Sequence, residues 1–208
     1  MSGSEFSPTV LHSLMVFILS EVDRKPGAIE LAKIVYLVDV ERVRMTGETM
    51  TSETYTRQAK GPLARNFGSC ITDMDGFEIS VAIGASGTAS RYPKKAHALG
   101  ANLRFQPSLD AVDTVIARRV LARVKNLTPL QIERLAHGTE PMKAILEEER
   151  RRGERLLGAA IDFSLVERNP FVQKWRENME KPAVLDRRFE AFLQQESKEI
   201  DQILASLG

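Results

Sequence analysis

The chain of 208 residues contains one cysteine and three histidines. A single thiol excludes an intramolecular disulfide and any cysteine-based zinc cluster. It suits a reducing compartment, and the expected location is the cytoplasm. His12, His97 and His137 stand far apart, none of them four residues from another. No metal-ligating spacing exists along the chain, so neither a metal nor another cofactor is expected. Net charge is equally scarce, because 29 Lys and Arg face 28 Asp and Glu. No overall field draws the chain to nucleic acid or to anionic lipid. Long apolar runs are missing too. The most apolar stretch, Val10 to Leu19, is broken by His12 and Ser13. It falls well short of the roughly 18 residues of a spanning helix. It also lacks the basic flank and small-residue cleavage site of a signal peptide. Gly84-Ala85-Ser86-Gly87 is followed by no Walker lysine and reads as a turn, not a phosphate loop.

What remains is an ordinary globular composition, 43% hydrophobic and 27% charged. Periodicity predicts a mainly helical α+β chain with one small antiparallel hairpin. Ser7 and Pro8 read as the cap and first residue of a helix carrying Val10, Leu11, Leu14, Met15, Ile18 and Val22 on one face. A second helix is predicted over 28–45, closed by Gly47. Residues 51–59, rich in Thr and Tyr, read as a short strand or extended arm. Pro62 is expected to open a third helix through Phe67 and Ile71. Alternation over 77–83, a Gly turn and a return over 90–96 make the predicted hairpin. From Ser108 onward the chain reads as helices, started by Ser108, Thr128-Pro129, Thr139-Glu140-Pro141, Asn169-Pro170 and Pro182.

Few residues offer chemistry. Cys70 has no base near it in sequence and reads as a small buried apolar residue, with a nucleophile as the alternative. Glu147-Glu148-Glu149 followed by Arg150-Arg151-Arg152 places opposite charges at i, i+3 and i, i+4, the pattern of a solvated, ion-paired helix. A nucleic-acid stripe is the functional alternative, blunted by the glutamates. His137, beside Gly138 at a helix end, reads as a local capping histidine. Asp39 stands out, because it lies within the apolar run Ile34-Val35-Tyr36-Leu37-Val38 and its continuation. A carboxylate there must reach solvent or find a partner. Lys60 or a nearby arginine is the expected partner, in an inter-element tether; a ligand role is the alternative.

The stretch Leu31-Ala32-Lys33-Ile34-Val35-Tyr36-Leu37-Val38-Asp39 resembles the K-L-x-Y-x-x-D helix of the SocA-like antitoxin, or Panacea, domain. Further residues fit the same pattern in order: Gly47, Thr49-Met50-Thr51, Tyr55, Lys60-Gly61-Pro62, the helix from Leu109 to Ile116, and Leu130 to Pro141 with Leu135-Ala136-His137 and Glu140-Pro141. The resemblance spans Val10 to Ile145. Met142 stands where the family often has Trp, and Leu63-Ala64 replaces its usual Val-Pro.

This resemblance implies a non-enzymatic antitoxin of a bacterial or phage toxin–antitoxin pair, acting through its cognate toxin protein. Direct binding of the toxin is the first reading. A proteolytic adaptor that delivers the toxin to ClpXP is the second, as in the SocA type. A DNA-binding autoregulator, with 128–137 and 140–157 as a helix pair, is the third. No small-molecule substrate, membrane or nucleic-acid partner is expected. Tyr36, Asp39, Lys60, Gly61, Pro62, His137 and Pro141 are the positions carried over from the family motif, as structural or partner-binding residues. The expected domain is 7–145, followed by a helical extension over 146–208. Its Phe171, Trp175, Phe189 and Phe192 are the toxin-binding candidates, with self-packing or a homodimer as the alternative.

Overall fold

In the computed structural model the described residues are 6–84 and 94–170. They form six helices and four short strands, a mainly α fold with a small antiparallel β part, as predicted. Helix α2 (Ala28–Thr46) is the axis. It is buried along nearly its whole length, with Leu31, Ile34, Val35, Tyr36 and Val38 almost fully shielded from solvent. Helices α1 (Val10–Glu21), α4 (Ala111–Val124) and α5 (Pro129–His137) pack around it. Two hairpins flank this bundle. Strand β1 (Tyr55–Gln58) pairs with β2 (Gly61–Ala64), and β3 (Ile79–Gly84) pairs with β4 (Lys94–Leu99). Helix α3 (Phe67–Met74) links the hairpins, and α6 (Glu140–Arg152) follows α5.

The helix ends are set by local chemistry. α1 begins later than predicted, because Thr9 rather than Ser7 is its cap. The Thr9 hydroxyl accepts the His12 amide while the His12 ring accepts the Thr9 amide, a reciprocal box with histidine in the usual Glu position. α4 likewise starts at Asp110, whose carboxylate accepts the Asp113 N–H, and not at Ser108. α2 ends on Gly47 at φ 93°, as expected for a left-handed cap, and α5 is capped by Thr128 with Gln131. α6 stops at Gly153 (φ 71°), short of the predicted residue 157.

One prediction fails outright. Pro62 does not open a helix; it lies in β2, so the fold has a second hairpin that periodicity does not reveal. The reason is in the backbone. Gly61 adopts φ 98°, which turns the chain back and sets Arg57 opposite Pro62. Arg57 turns its own N–H and C=O outward, to Ala159 C=O and Gly158 N–H. The pair needs no hydrogen bond from residue 62, so the missing proline N–H costs nothing there.

The chain continues past α6 as an irregular segment laid along β1. Ala159 C=O accepts the Arg57 N–H, and Ile161 donates to the Tyr55 C=O. Phe163 then closes an aromatic cluster with Tyr36 and Tyr55, ring centroids 5.3–5.8 Å apart. Elsewhere, at the start of the second hairpin, the Glu78 carboxylate is fully buried and takes the Arg104 guanidinium, 2.8 Å away. That guanidinium is stacked between Phe6 and Phe77, 4.0 and 4.1 Å from the ring centres.

Candidate functional site

Lys33, Tyr36 and Asp39 occur every third residue on α2. Each step turns the side chain by about 300° around the axis, so the three trace a slow spiral over one side of the helix. Each reaches a different element. The Lys33 ammonium donates to the Pro62 C=O at 2.6 Å. The Tyr36 hydroxyl lies 2.8 Å from the Thr139 hydroxyl, which in turn donates to Ala136 C=O. Asp39 accepts the Met50 and Thr51 amides at 2.7 and 3.0 Å, and the hydroxyls of Thr51 and Tyr55, the latter at 2.6 Å. The spiral therefore ties β2, the start of α6, and the loop before β1 to one helix.

Asp39 is a tether, but its partners differ from the expected ones. No Lys or Arg side chain among the described residues bonds to it; Lys60 is exposed at the hairpin tip. Two amides and two hydroxyls take that place, so a fully buried carboxylate is held by neutral donors. Burial pushes its pKa up, opposed by those four bonds.

Gly61 and His137 meet directly. A Cβ on Gly61 would stand 2.4 Å from His137 Nε2 and 3.3 Å from Lys33 Cε. His137 Nε2 is buried with no hydrogen-bond partner, and burial pushes the ring's pKa down, so it is neutral at pH 7. The histidine is thus a packing wall for the hairpin turn rather than a cap. Pro141 is buried in the first turn of α6. Of the carried-over residues, Gly61, Pro62 and His137 come together at the turn, whereas Tyr36 is bonded to Thr139 at the start of α6 and Asp39 to the loop before β1. Lys60 joins none of these. Phe171, Trp175, Phe189 and Phe192 lie outside the described residues.

Lys33 makes stability depend on pH. Burial, first, with Arg57 nearby, pushes its ammonium from 10.5 down to about 8, against the pull of Glu133. The unfolded chain therefore holds a proton that the folded chain has lost between about pH 8 and 10.5. Stability contributed by this group rises with pH through that window, by roughly 3 kcal/mol in full. Cys70, pushed by burial from 9.0 to about 12, and Tyr36, also pushed up, act in the opposite sense above pH 9 to 10. The comparison that isolates Lys33 is K33M. Urea unfolding at pH 7.5 and 9 should show the wild type gaining on K33M as pH rises; parallel pH dependences would contradict the assignment.

Sequence reading misses several side chains. Arg57, 5% exposed, forms a two-pronged pair with Glu149 across the gap between β1 and α6. Glu149 also accepts the Leu156 amide. The charged run is thus divided: Glu148 pairs with Arg151 and Arg152 on the helix surface, as the spacing predicts, while Glu149 builds tertiary structure. No spacing rule marks that difference. Lys33 lies in the motif stretch but is not among the positions carried over from it; its role as a tether emerges from the structure.

Cys70 gathers the elements of a thiol triad without its electrostatics. Its sulfur lies 3.8 Å from His12 Nδ1, and His12 Nε2 lies 3.8 Å from Asp73. Yet Nδ1 is already occupied by Thr9, the thiol is buried, and its pKa is pushed up to about 12. A thiolate is not formed at neutral pH. Among the described residues no three His, Cys, Asp or Glu side chains are grouped to hold a metal ion. No helix among them is long and apolar enough to cross a membrane.

The family model described as "Antitoxin SocA-like, Panacea domain" matches residues 31–141, from the first turn of α2 to the first turn of α6. No curated protein and no solved structure matches the chain. The matched span contains the whole Lys33–Tyr36–Asp39 spiral with every tether partner, and covers more than half of the sequence. The chain belongs to the family of SocA-like antitoxins with a Panacea domain.

Proposed function

We propose that this chain is the antitoxin of a bacterial or phage toxin–antitoxin pair and that it neutralises its toxin by direct, non-enzymatic binding. The observation that carries the reading is the family match over 31–141. The geometry supports it, because the motif side chains are spent on holding the fold together. Asp39 has its bonds filled, the Tyr36 hydroxyl is bonded to Thr139, and Lys33 is bonded to Pro62. A scaffold of this kind leaves recognition to its surface and to the residues C-terminal to it. In this reading residues 7–145 are the scaffold. Of the following residues, Glu149, Ala159, Ile161 and Phe163 still close the scaffold; the stretch beyond them within 146–208 supplies the toxin-binding or dimerisation element, with Phe171, Trp175, Phe189 and Phe192 as anchors.

Co-expression with the neighbouring reading frame, followed by purification through a tag on this chain, tests the proposal. Restored growth with a stoichiometric complex is the expected result. Restored growth with no complex and with disappearance of the neighbour's product would replace it with delivery to ClpXP. Binding to operator DNA with a steep salt dependence would replace it with autoregulation.

A further inference from the structure

The reciprocal box that starts α1 is built on a titratable side chain. His12 is 4% exposed, and its Nδ1 accepts the Thr9 N–H at 3.0 Å and lies 2.8 Å from the Thr9 hydroxyl. A ring nitrogen that accepts an N–H carries no proton, so the neutral ring holds its hydrogen on Nε2. That Nε2 is buried and has no hydrogen-bond partner among the described residues. Asp73 of α3, half exposed, stands 3.8 Å from it. The other charges acting on the ring are Glu78 at the start of β3, Glu53 in the loop before β1, and Arg104 in the segment before α4. Glu78 is already held by Arg104. The Cys70 thiol, 3.8 Å from Nδ1, is neutral. The turn that this box opens carries Leu11 and Leu14, both fully buried.

We propose that His12 is an acid-sensitive latch on α1: a proton taken up from solvent on Nδ1 ejects the Thr9 amide and opens the start of the helix. The geometry forces this exchange. Once Nδ1 carries a hydrogen, two N–H groups face each other across 3.0 Å, and one must leave. The Thr9 hydroxyl can turn and accept the new hydrogen, but the Thr9 amide has no such option. Thr9 is exposed, so its amide turns to water and the segment ahead of α1 comes away from the ring. The glutamate or glutamine that capping boxes ordinarily use keeps its acceptor through neutral and mildly acid pH. Burial is the largest influence on the ring and, with Arg104, outweighs Asp73, Glu78 and Glu53, so His12 takes up its proton below its ordinary 6.5. The unfolded chain therefore binds that proton first. The stability supplied by the latch is complete above pH 6.5 and is lost as pH falls below it. None of this rests on the antitoxin reading.

The test follows the full-length chain from pH 7.5 to 5, with H12Q beside it, because glutamine accepts the same amide and does not titrate. Nitrogen NMR of the wild type reads the protonation of both ring nitrogens and the scalar coupling across the Thr9 N–H···Nδ1 bond. Urea unfolding gives the folding constant of both chains. The expected wild type has a bare Nδ1, a protonated Nε2 and a measurable coupling at pH 7.5. On acidification Nδ1 gains its proton below pH 6.5, and the coupling disappears with the same midpoint. The folding constant of wild type relative to H12Q should fall roughly threefold or more over this range. A hydrogen on Nδ1 at pH 7.5 overturns the proposal. So does a coupling that persists while the ring titrates, which marks a buried histidine and no latch. Equal pH dependence of wild type and H12Q also overturns it, since the remaining titratable groups then account for the whole effect. If H12Q does not fold, the wild-type midpoints decide alone: coincident ones support the latch and separate ones overturn it.

Discussion

Replacing Asp39 by alanine should cost this protein roughly 3–5 kcal/mol, enough to remove much of a typical domain's stability. The carboxylate is completely shielded and accepts from the Met50 and Thr51 amides and the Thr51 and Tyr55 hydroxyls. Asp39→Ala leaves all four donors without an acceptor, and each buried unpaired donor costs about 1–3 kcal/mol, partly recovered where water or a hydroxyl rotation finds a substitute. Asp39→Asn should behave differently. Its Oδ1 can still accept both amides, and its Nδ2 can donate to the two hydroxyl oxygens once they rotate. The amide also avoids the desolvation that pushes the Asp39 carboxyl upward. A loss of roughly 1–3 kcal/mol, smaller than for Asp39→Ala, is expected for Asp39→Asn, because the two amides keep their acceptor while the Thr51 and Tyr55 hydroxyl protons lose theirs. Urea unfolding of both variants decides it. Equal losses would show that the negative charge itself, and not the pattern of acceptors, holds the loop before β1.

The second large effect is expected at Gly61. An alanine there faces two costs of different origin. A side chain at φ 98° is strained whatever surrounds it, by about 1–3 kcal/mol. The new methyl would also sit 2.4 Å from His137 Nε2, and overpacking of this kind costs roughly 1–3 kcal/mol. Gly61→Ala should therefore destabilise by roughly 2–6 kcal/mol. A double-mutant cycle separates the parts. His137→Ala removes the clash but not the strain, so Gly61→Ala should cost less in the His137→Ala background. A cycle with no coupling would mean that the hairpin turn moves away from α5 freely, and that His137 is not its wall.

The two positions also show how much can be read from sequence. α2 is legible in full, because a long apolar run ends on a left-handed glycine, Gly47. α5 is legible for a similar reason, since Thr128 and Pro129 state a cap-plus-proline helix start; its second capping residue, Gln131, emerges only from the structure. Pro62 misleads because the same proline that suits a helix start also suits a strand position needing no N–H. Only the outward bonds of Arg57 to residues 158 and 159, far along the chain, decide between them. Asp39 is recognisable as a carboxylate that must be tethered, yet the partners its sequence context suggests are cations. Backbone amides and hydroxyls carry no charge signal in a sequence, so neutral satisfaction of a buried acid is invisible until the fold is known. The pairing of Glu149 with Arg57, against the surface pairing of Glu148, is hidden for the same reason.

On the proposed reading the family motif builds a scaffold, and recognition lies elsewhere on the molecule. Asp39→Asn probes this at its centre, because that variant alters the middle of the motif while keeping the fold. Tagged Asp39→Asn should capture the product of the neighbouring reading frame in the same stoichiometric amount as wild type, and restore growth equally, with melting lowered less than in Asp39→Ala. Lost capture and lost growth rescue by Asp39→Asn that is still folded at the assay temperature would contradict that reading and make Asp39 part of the toxin-contact surface.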